Sequence, residues 1–190
     1  MKTKFAARTH LYFSGFILLA FAFVLQAEER VVWQIGKVDG TYDELAGARE
    51  GDSEGGSTYT TAFSNDVLFA VGKDHPSKSW SNIHPGPSDV WAHSKTHPFT
   101  IVFENEGRPE GVYRLLIHLI DTHAIFPPLY EININGIAGT IQLPAGSGDM
   151  SAFDPSKGRP HTINLKIPAS WLHSGENRIV LKTVKGSWLL

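Results

Sequence analysis

The sequence predicts an all-β protein, an antiparallel jelly-roll β-sandwich of about eight strands. Aromatic and β-branched residues occur in short clusters, Gly and Pro are frequent (18 and 11 of 190 residues), and no stretch keeps a helical apolar period beyond about two turns. The predicted strands cover residues 31–35, 67–72, 99–104, 112–121, 129–135, 137–143, 161–167 and 177–184.

The strand at residues 112–121 has the clearest alternation of side chains. Its odd-numbered side chains are predicted to face the core, while Arg114 and His118 point to solvent. Leu116 and Ile120 share the outward positions, so that face is expected to be partly covered. We therefore expect a half-buried strand in the centre of a sheet.

Local signals place turns between the strands. Asn135-Gly136 lies between two alternating runs and predicts a type I′ hairpin, because both central residues need positive φ. Thr41 and Glu44 have the spacing of a capping box and predict a short helical turn. A second short turn is expected just before Gly175, which is suited to end a helix.

The N-terminus has the pattern of a secretory signal peptide, residues 1–27. Basic residues precede an apolar run at 11–25, and Ala27 is the small residue expected at a cleavage site. A signal anchor is the alternative, but the run is shorter than the roughly 20 residues that span a bilayer. We expect a secreted or periplasmic protein with no membrane span after signal removal.

Composition limits the function of the mature chain, residues 28–190. About 163 residues fit one domain, and the sequence contains no cysteine that could build a disulfide framework. The net charge is −2, and no basic stripe is present. Nucleic acid is therefore excluded as a partner.

Several segments carry a resemblance to a known family, and they are spread in order along the chain: Trp33-Gln34-Ile35-Gly36-Lys37-Val38-Asp39-Gly40, Phe69-Ala70-Val71-Gly72-Lys73-Asp74, His97-Pro98-Phe99-Thr100-Ile101-Val102-Phe103 and Glu131-Ile132-Asn133-Ile134-Asn135-Gly136. Together they resemble domain III, the C-terminal jelly-roll module of the rhamnogalacturonan lyases of polysaccharide lyase family 4. Residues 167–181 are similar to a pattern shared by galactose-binding-like jelly rolls.

The resemblance implies a noncatalytic carbohydrate-binding or accessory module in the degradation of pectin or rhamnogalacturonan. In that family the lytic residues lie in another domain, so no catalytic residue is carried over to this chain. Two alternatives stay open, a fragment of a longer lyase with its own catalytic domain and a surface-displayed sandwich that binds protein. The family usually adds one more strand near residues 188–190, which either begin that strand or close the module.

Histidines and carboxylates are the residue types of this sequence that could act in catalysis or bind a metal ion. Among the nine histidines only His93 and His97 are close, and the following Pro98 indicates a loop rather than a helical zinc motif. No nucleophile or phosphate-loop motif is present, and no two carboxylates are brought together. We therefore predict no catalytic residue, no metal site and no cofactor; calcium held by loop oxygens is the alternative.

Aromatic residues in polar loops are the strongest indication of function, because sugar rings stack on aromatic faces. The candidate sugar-binding residues are Trp80, Trp91 and Tyr130, with His93 as a polar neighbour. The alternative is that Trp80 and Trp91 pack beneath the long loop at 74–97. Three further aromatic residues are predicted to be in the core: Trp33, Phe103 and Trp171.

Overall fold

The computed structural model describes residues 30–47, 63 and 66–190. The chain divides into two compact units, Met1–Val32 and Trp33–Leu190. Residues 30–32, the described part of the first unit, have no regular secondary structure. The signal peptide predicted at residues 1–27 lies outside the described residues.

The second unit is a β-sandwich, as predicted. Its described strands are β1 (Val67–Ala70), β2 (Phe99–Asn105), β3 (Val112–Leu119), β4 (Leu129–Ile134), β5 (Ile137–Gln142), β6 (His161–Pro168) and β7 (Gly175–Lys185). One sheet has the order β1-β2-β7-β4-β5, and the other pairs β3 with β6. A short helix, α1 (Pro76–Ser79), lies in the connection between β1 and β2.

Strand direction differs from the prediction at one place. Every described pair is antiparallel except β1 with β2, which is parallel from Val67↔Phe99 to Ala70↔Val102. A parallel pair needs a long crossover connection. The loop between the two strands supplies it, and this loop also carries several of the candidate residues.

The alternation predicted for β3 is confirmed, but its central position is wrong. Leu115 and Leu119 are buried toward the core, as are Ile163 and Ile167 of β6, which lie opposite Ile117 and Tyr113. In the described part of the chain β3 pairs with β6 alone. Leu116, on the other face, is 48% exposed, so this sheet covers the core on one side and is open on the other.

The strand predicted at residues 31–35 is wrong. The structure shows no regular secondary structure there, although Trp33 and Ile35 pack against the core. Trp33 lies 5.4 Å from the ring of Phe103. The alternating pattern therefore indicates which side chains are buried and does not show that the backbone pairs. Residues 31–35 cannot pair with β2, because β2 already pairs with β1 on one edge and with β7 on the other.

The helical turn predicted from Thr41 and Glu44 is also wrong. The side chain of Glu44 accepts a hydrogen bond from the backbone N–H of Lys37, so it cannot complete a capping box. Thr41 donates its N–H to Asp39 Oδ1 at 3.0 Å. The segment forms one hydrogen-bonded turn, in which Leu45 N–H donates to Tyr42 O at 2.9 Å, and no helix. Local side-chain hydrogen bonds anchor it.

The hairpin turn between β4 and β5 and the short turn before β7 are confirmed, but Gly175 does not end that short turn as predicted, because its C-cap is Leu172. Asn135 and Gly136 have φ values of 51° and 93°, and they join Ile134 to its partner Ile137. A single 3-10 turn, Ala169–Trp171, precedes β7. Gly175 begins that strand with φ of 82°.

The core lies between the two sheets and extends under the loops at one end. The prediction for Phe103 is confirmed, since it is buried; Trp33 and Trp171 are partly buried against the core. Near the end of the described chain, Leu189 forms isolated antiparallel bridges with His84 and with Thr122. Leu189 therefore bridges the loop that contains His84 and the loop that contains Thr122.

Candidate functional site

Loops gather at one end of the sandwich, where β3, β5 and β7 end and β2, β4 and β6 begin. We call this region the loop end; it comprises residues 80–98, 120–128, 143–160 and 186–190. Backbone hydrogen bonds join these loops. The N–H of Ser88 donates to Gly186 O, and the N–H of Ser187 donates to Phe126 O, each at 2.9 Å.

Two glycines allow the loops to approach each other closely. A Cβ atom at Gly86 would lie 2.5 Å from Gly186 O. Gly186 has φ of 86°, and a Cβ there would lie 2.6 Å from Pro127 O. A side chain at either position would collide with backbone, so the loop end is packed backbone against backbone.

A buried carboxylate, Asp89, links two of the loops. It accepts hydrogen bonds from Gly86 N–H at 2.7 Å and from the hydroxyl of Ser187. Burial raises the pKa of Asp89, and these hydrogen bonds oppose that rise. The negative charge of Asp149 also raises the pKa of Asp89, so Asp149 lies within electrostatic range of that carboxylate.

A second buried carboxylate, Asp121, holds the loop after β5. It accepts hydrogen bonds from both the N–H and the hydroxyl of Ser147. Burial alone would raise the pKa of Asp121, but hydrogen bonds from the side chains of Ser147 and Ser151 outweigh it and lower the pKa. Asp89 and Asp121 therefore act as structural anchors of the loop end.

Two of the predicted sugar-binding residues lie in the core. Trp80 is 8% exposed and packs against Phe99 with ring centroids 5.5 Å apart. Tyr130 is fully buried, and its hydroxyl hydrogen-bonds His84 Nδ1 at 3.1 Å. We therefore correct both assignments, because neither ring has a face open to a sugar. For Trp80 the alternative, packing beneath the long loop, is confirmed.

His84 is the centre of this buried aromatic cluster. Its ring stacks on Phe99 with centroids 3.5 Å apart and an interplanar angle of 15°. Burial lowers the pKa of His84 to about 3 and raises that of Tyr130 well above its usual range. Both groups are consequently neutral at physiological pH, as a tightly packed core requires.

The other two predicted residues, Trp91 and His93, lie at the surface of the loop end. Trp91 is half-buried and packs against the core from the 3-10 turn Val90–Ala92. His93 is exposed and follows that turn with φ of 64°. His97 is buried instead, and its Nε2 donates to Ala92 O at 2.8 Å. Sugar contact by Trp91 and His93 stays a prediction.

The loop after β3 presents an aromatic pair that is open to solvent. Phe126 is 55% exposed, and its ring stacks on His123 with centroids 5.6 Å apart at 28°. His123 also contacts the edge of buried Trp188 at 5.6 Å. The pair is therefore supported from below by the core and is open above.

Hydrogen bonds set the tautomer of His123. Its Nδ1 accepts from the N–H groups of Ile125 at 3.2 Å and Phe126 at 2.9 Å. Nδ1 must then carry a lone pair, which places the ring proton on Nε2. That N–H has no hydrogen-bond partner among the described residues, so it is available to a ligand oxygen.

The pair has polar and apolar neighbours at the same end. Asp149 is exposed at the first position of the 3-10 turn Asp149–Ala152. Two further apolar side chains of this loop are also open, Met150 at 63% and Phe153 at 56%. The loop end therefore offers a ring for stacking on sugar C–H groups, an N–H donor and a carboxylate acceptor.

The site residues predicted from the sequence did not include Phe126 or His123, although a local signal exists for Phe126. It precedes Pro127-Pro128, and two successive prolines lack the N–H donors of a strand ladder, which indicates a loop at this position. In the described ranges no group of three His, Asp or Glu residues is arranged to hold a metal ion. Nor does that part of the chain contain a helix long and apolar enough to cross a membrane.

Comparison with known proteins agrees with the resemblance seen in the sequence. A rhamnogalacturonate lyase of Dickeya dadantii (strain 3937) is 28% identical over 166 residues, which are 82% of this chain and 26% of that protein. The chain thus spans about a quarter of the length of this relative.

Two solved structures show weaker likeness, each 14% identical and covering 50% of this chain and 64% of theirs. They are a family 35 carbohydrate binding module from an environmental isolate, with a TM-score of 0.32, and the CBM35 from Cellvibrio japonicus Abf62, with a TM-score of 0.29. Residues 31–189 match the family model described as CBM-like, polysaccharide lyase family 4, domain III. Since this match covers most of the chain, the protein belongs to that CBM-like domain III family of polysaccharide lyase family 4.

Proposed function

We propose that this chain is a secreted, noncatalytic carbohydrate-binding accessory module that acts in the degradation of pectic polysaccharide such as rhamnogalacturonan. The sugar binds at the loop end, where its ring stacks on Phe126 and one of its hydroxyls accepts the Nε2–H of His123. The exposed stack of Phe126 on His123 is the observation that carries this proposal. Trp91 and His93, which lie in another loop of the loop end, stay predicted contacts.

The fixed position of Phe126 favours sugar binding at the loop end. Phe126 is held by three contacts: its ring lies on His123, its N–H donates to His123 Nδ1, and its carbonyl accepts from Ser187 N–H. A ring fixed before binding loses little conformational freedom when a ligand stacks on it. Family membership supports the carbohydrate class, and the name of the Dickeya dadantii relative supports a rhamnogalacturonate ligand.

Two other functions have observations in their favour. The fraction of the relative that the chain spans, 26%, favours a segment of a longer lyase with its catalytic domains elsewhere. The exposed apolar side chains Ile125, Met150 and Phe153 favour a surface that binds protein. The experiment below distinguishes the protein-binding function from the main proposal, and coding sequence for a catalytic domain adjoining that of this chain would establish the longer lyase.

The test is calorimetry or affinity electrophoresis of the purified chain with rhamnogalacturonan I, galactan and homogalacturonan. Ultraviolet absorbance of unsaturated products is followed in the same samples. We expect binding without product. Phe126→Ala should weaken binding about tenfold, which corresponds to about 1.4 kcal/mol, because the stacking face is lost.

Leu68→Ala is the matched control, because Leu68 is also apolar and 55% exposed but lies on β1. It should bind like the original chain. Trp91→Ala tests the predicted contact of that residue. Equal affinity of Phe126→Ala and the original chain would refute the proposed site, product formation would establish a lyase, and no binding to any glycan would favour the protein-binding function.

A further inference from the structure

The outer face of the two-stranded sheet has an unusual composition. All eight outward side chains, the even-numbered residues of β3 and β6, are exposed. None of them is acidic, whereas Arg114, His118 and Lys166 are basic. At about 3.4 Å per residue the eight-residue strands make this face about 24 Å long, and the three basic groups lie along its length.

Two of these basic residues face each other directly. Arg114 is the cross-strand partner of Lys166, and like charges in opposed positions destabilise a sheet. Within the described residues Lys166 forms no ion pair. Four residues further along β3, His118 Nδ1 lies 3.1 Å from the hydroxyl of Thr162.

The apolar residues on this face separate the basic ones. Val112 is 68% exposed and Leu116 is 48% exposed, and in β3 they alternate with Arg114 and His118. An extended ligand with anionic groups between apolar ring faces would match this alternation. A polymer of sugar acids has this character, because each ring has C–H faces and each carboxylate can bind a cationic side chain.

We propose that the outer face of β3 and β6 is a second glycan-binding surface and that it takes acidic polysaccharide, with uronate carboxylates bound between Arg114 and Lys166. This inference deepens the proposed function and rests on it. It assigns a role to each surface: the loop end stacks a sugar ring, and the outer face selects for negative charge on the same or a neighbouring chain.

The experiment measures binding to polygalacturonate and to the same polymer after its carboxyl groups have been reduced to alcohols. Lys166→Glu should weaken binding to polygalacturonate at least about tenfold at low salt, where surface charges are least screened. Binding to the reduced polymer should change less than twofold. The substitution places opposite charges across the strands, so it should not lower the melting temperature.

Lys73→Glu is the control, because Lys73 is exposed in the turn after β1 and changes the net charge equally. It should change both affinities less than twofold. If Lys166→Glu binds polygalacturonate like the original chain, or if Lys73→Glu weakens it equally, the second surface is refuted while the loop-end site stands. If the original chain binds neither polymer nor any other glycan, both proposals fail.

Discussion

Two stacked pairs of histidine and phenylalanine occur in this domain, in opposite surroundings. His84 and Phe99 lie in the core, where a hydrogen bond from Tyr130 and the edge of Trp80 complete their contacts. His123 and Phe126 lie at the loop end, where the phenyl ring is 55% exposed. Both histidines hydrogen-bond through Nδ1, yet only the second pair has a face that a ligand can reach.

The comparison shows that aromatic content does not by itself mark a binding site. In the buried pair each ring face is used by protein atoms, so the contacts stabilise the fold. In the exposed pair the histidine face is supported by Trp188 and the phenylalanine face is open. We therefore expect substitutions in the first cluster to change stability and substitutions in the second to change affinity.

Trp80→Ala should produce the largest effect. The indole is buried against Phe69, His84 and Phe99, so its removal should lower the free energy of unfolding by about 3–5 kcal/mol. Urea denaturation followed by circular dichroism measures this change. The folded fraction should bind glycan with unchanged affinity. A loss of affinity without a loss of stability would instead show that Trp80 contacts the sugar.

Much of the fold could be predicted because its signals are local. Alternation within a strand, and the positive φ needed at Asn135 and Gly136, depend on neighbouring residues only. The parallel pairing of β1 with β2 could not be predicted, since it depends on where a long loop returns the chain. The strand expected at residues 31–35 failed for a related reason: alternation indicates burial, whereas pairing needs a free neighbouring edge.

The candidate site was harder to predict than the fold. Trp80 and Tyr130 are in or beside loops in the sequence, but their burial is decided by contacts with residues far along the chain, such as Phe99 and His84. The openness of Phe126 has the same origin, because Ser187 fixes its carbonyl from the end of the described chain. Sequence position identifies a loop and does not show which face of it is covered.

Acid should weaken the buried cluster, and this effect is the second largest. The pKa of His84 is about 3 in the folded protein, below its ordinary value of 6.5. Below pH 6.5 the unfolded chain therefore binds a proton that the folded chain does not, so stability is lost as pH falls through this window. The loss should be about 2 kcal/mol between pH 6.5 and 5.

Denaturation of the original chain and of His84→Gln at several pH values separates this contribution from that of other groups. The variant should start from a lower stability, because the contact with Phe99 is altered, but it should lose about 2 kcal/mol less across the same pH range. Parallel pH profiles for the two proteins would show that His84 does not stay neutral in the core.

His123→Asn should have the smallest effect on stability and a measurable one on affinity. The Oδ1 of asparagine can accept the N–H groups of Ile125 and Phe126 in place of the imidazole Nδ1, so the loop keeps its turn. The free energy of unfolding should change by less than about 0.5 kcal/mol, as expected for a surface position. Phe126 loses the ring beneath it, however, and the ligand loses the Nε2–H donor.

Binding of rhamnogalacturonan I by His123→Asn should therefore be about three- to fivefold weaker, corresponding to about 1 kcal/mol for one hydrogen bond and part of a stack. Calorimetry and thermal denaturation on the same preparation provide both values. Combination with Phe126→Ala should add little further loss, because two residues that act on one sugar ring are coupled. Fully additive losses of binding free energy would show that the two side chains make separate contacts and would contradict the proposed pair.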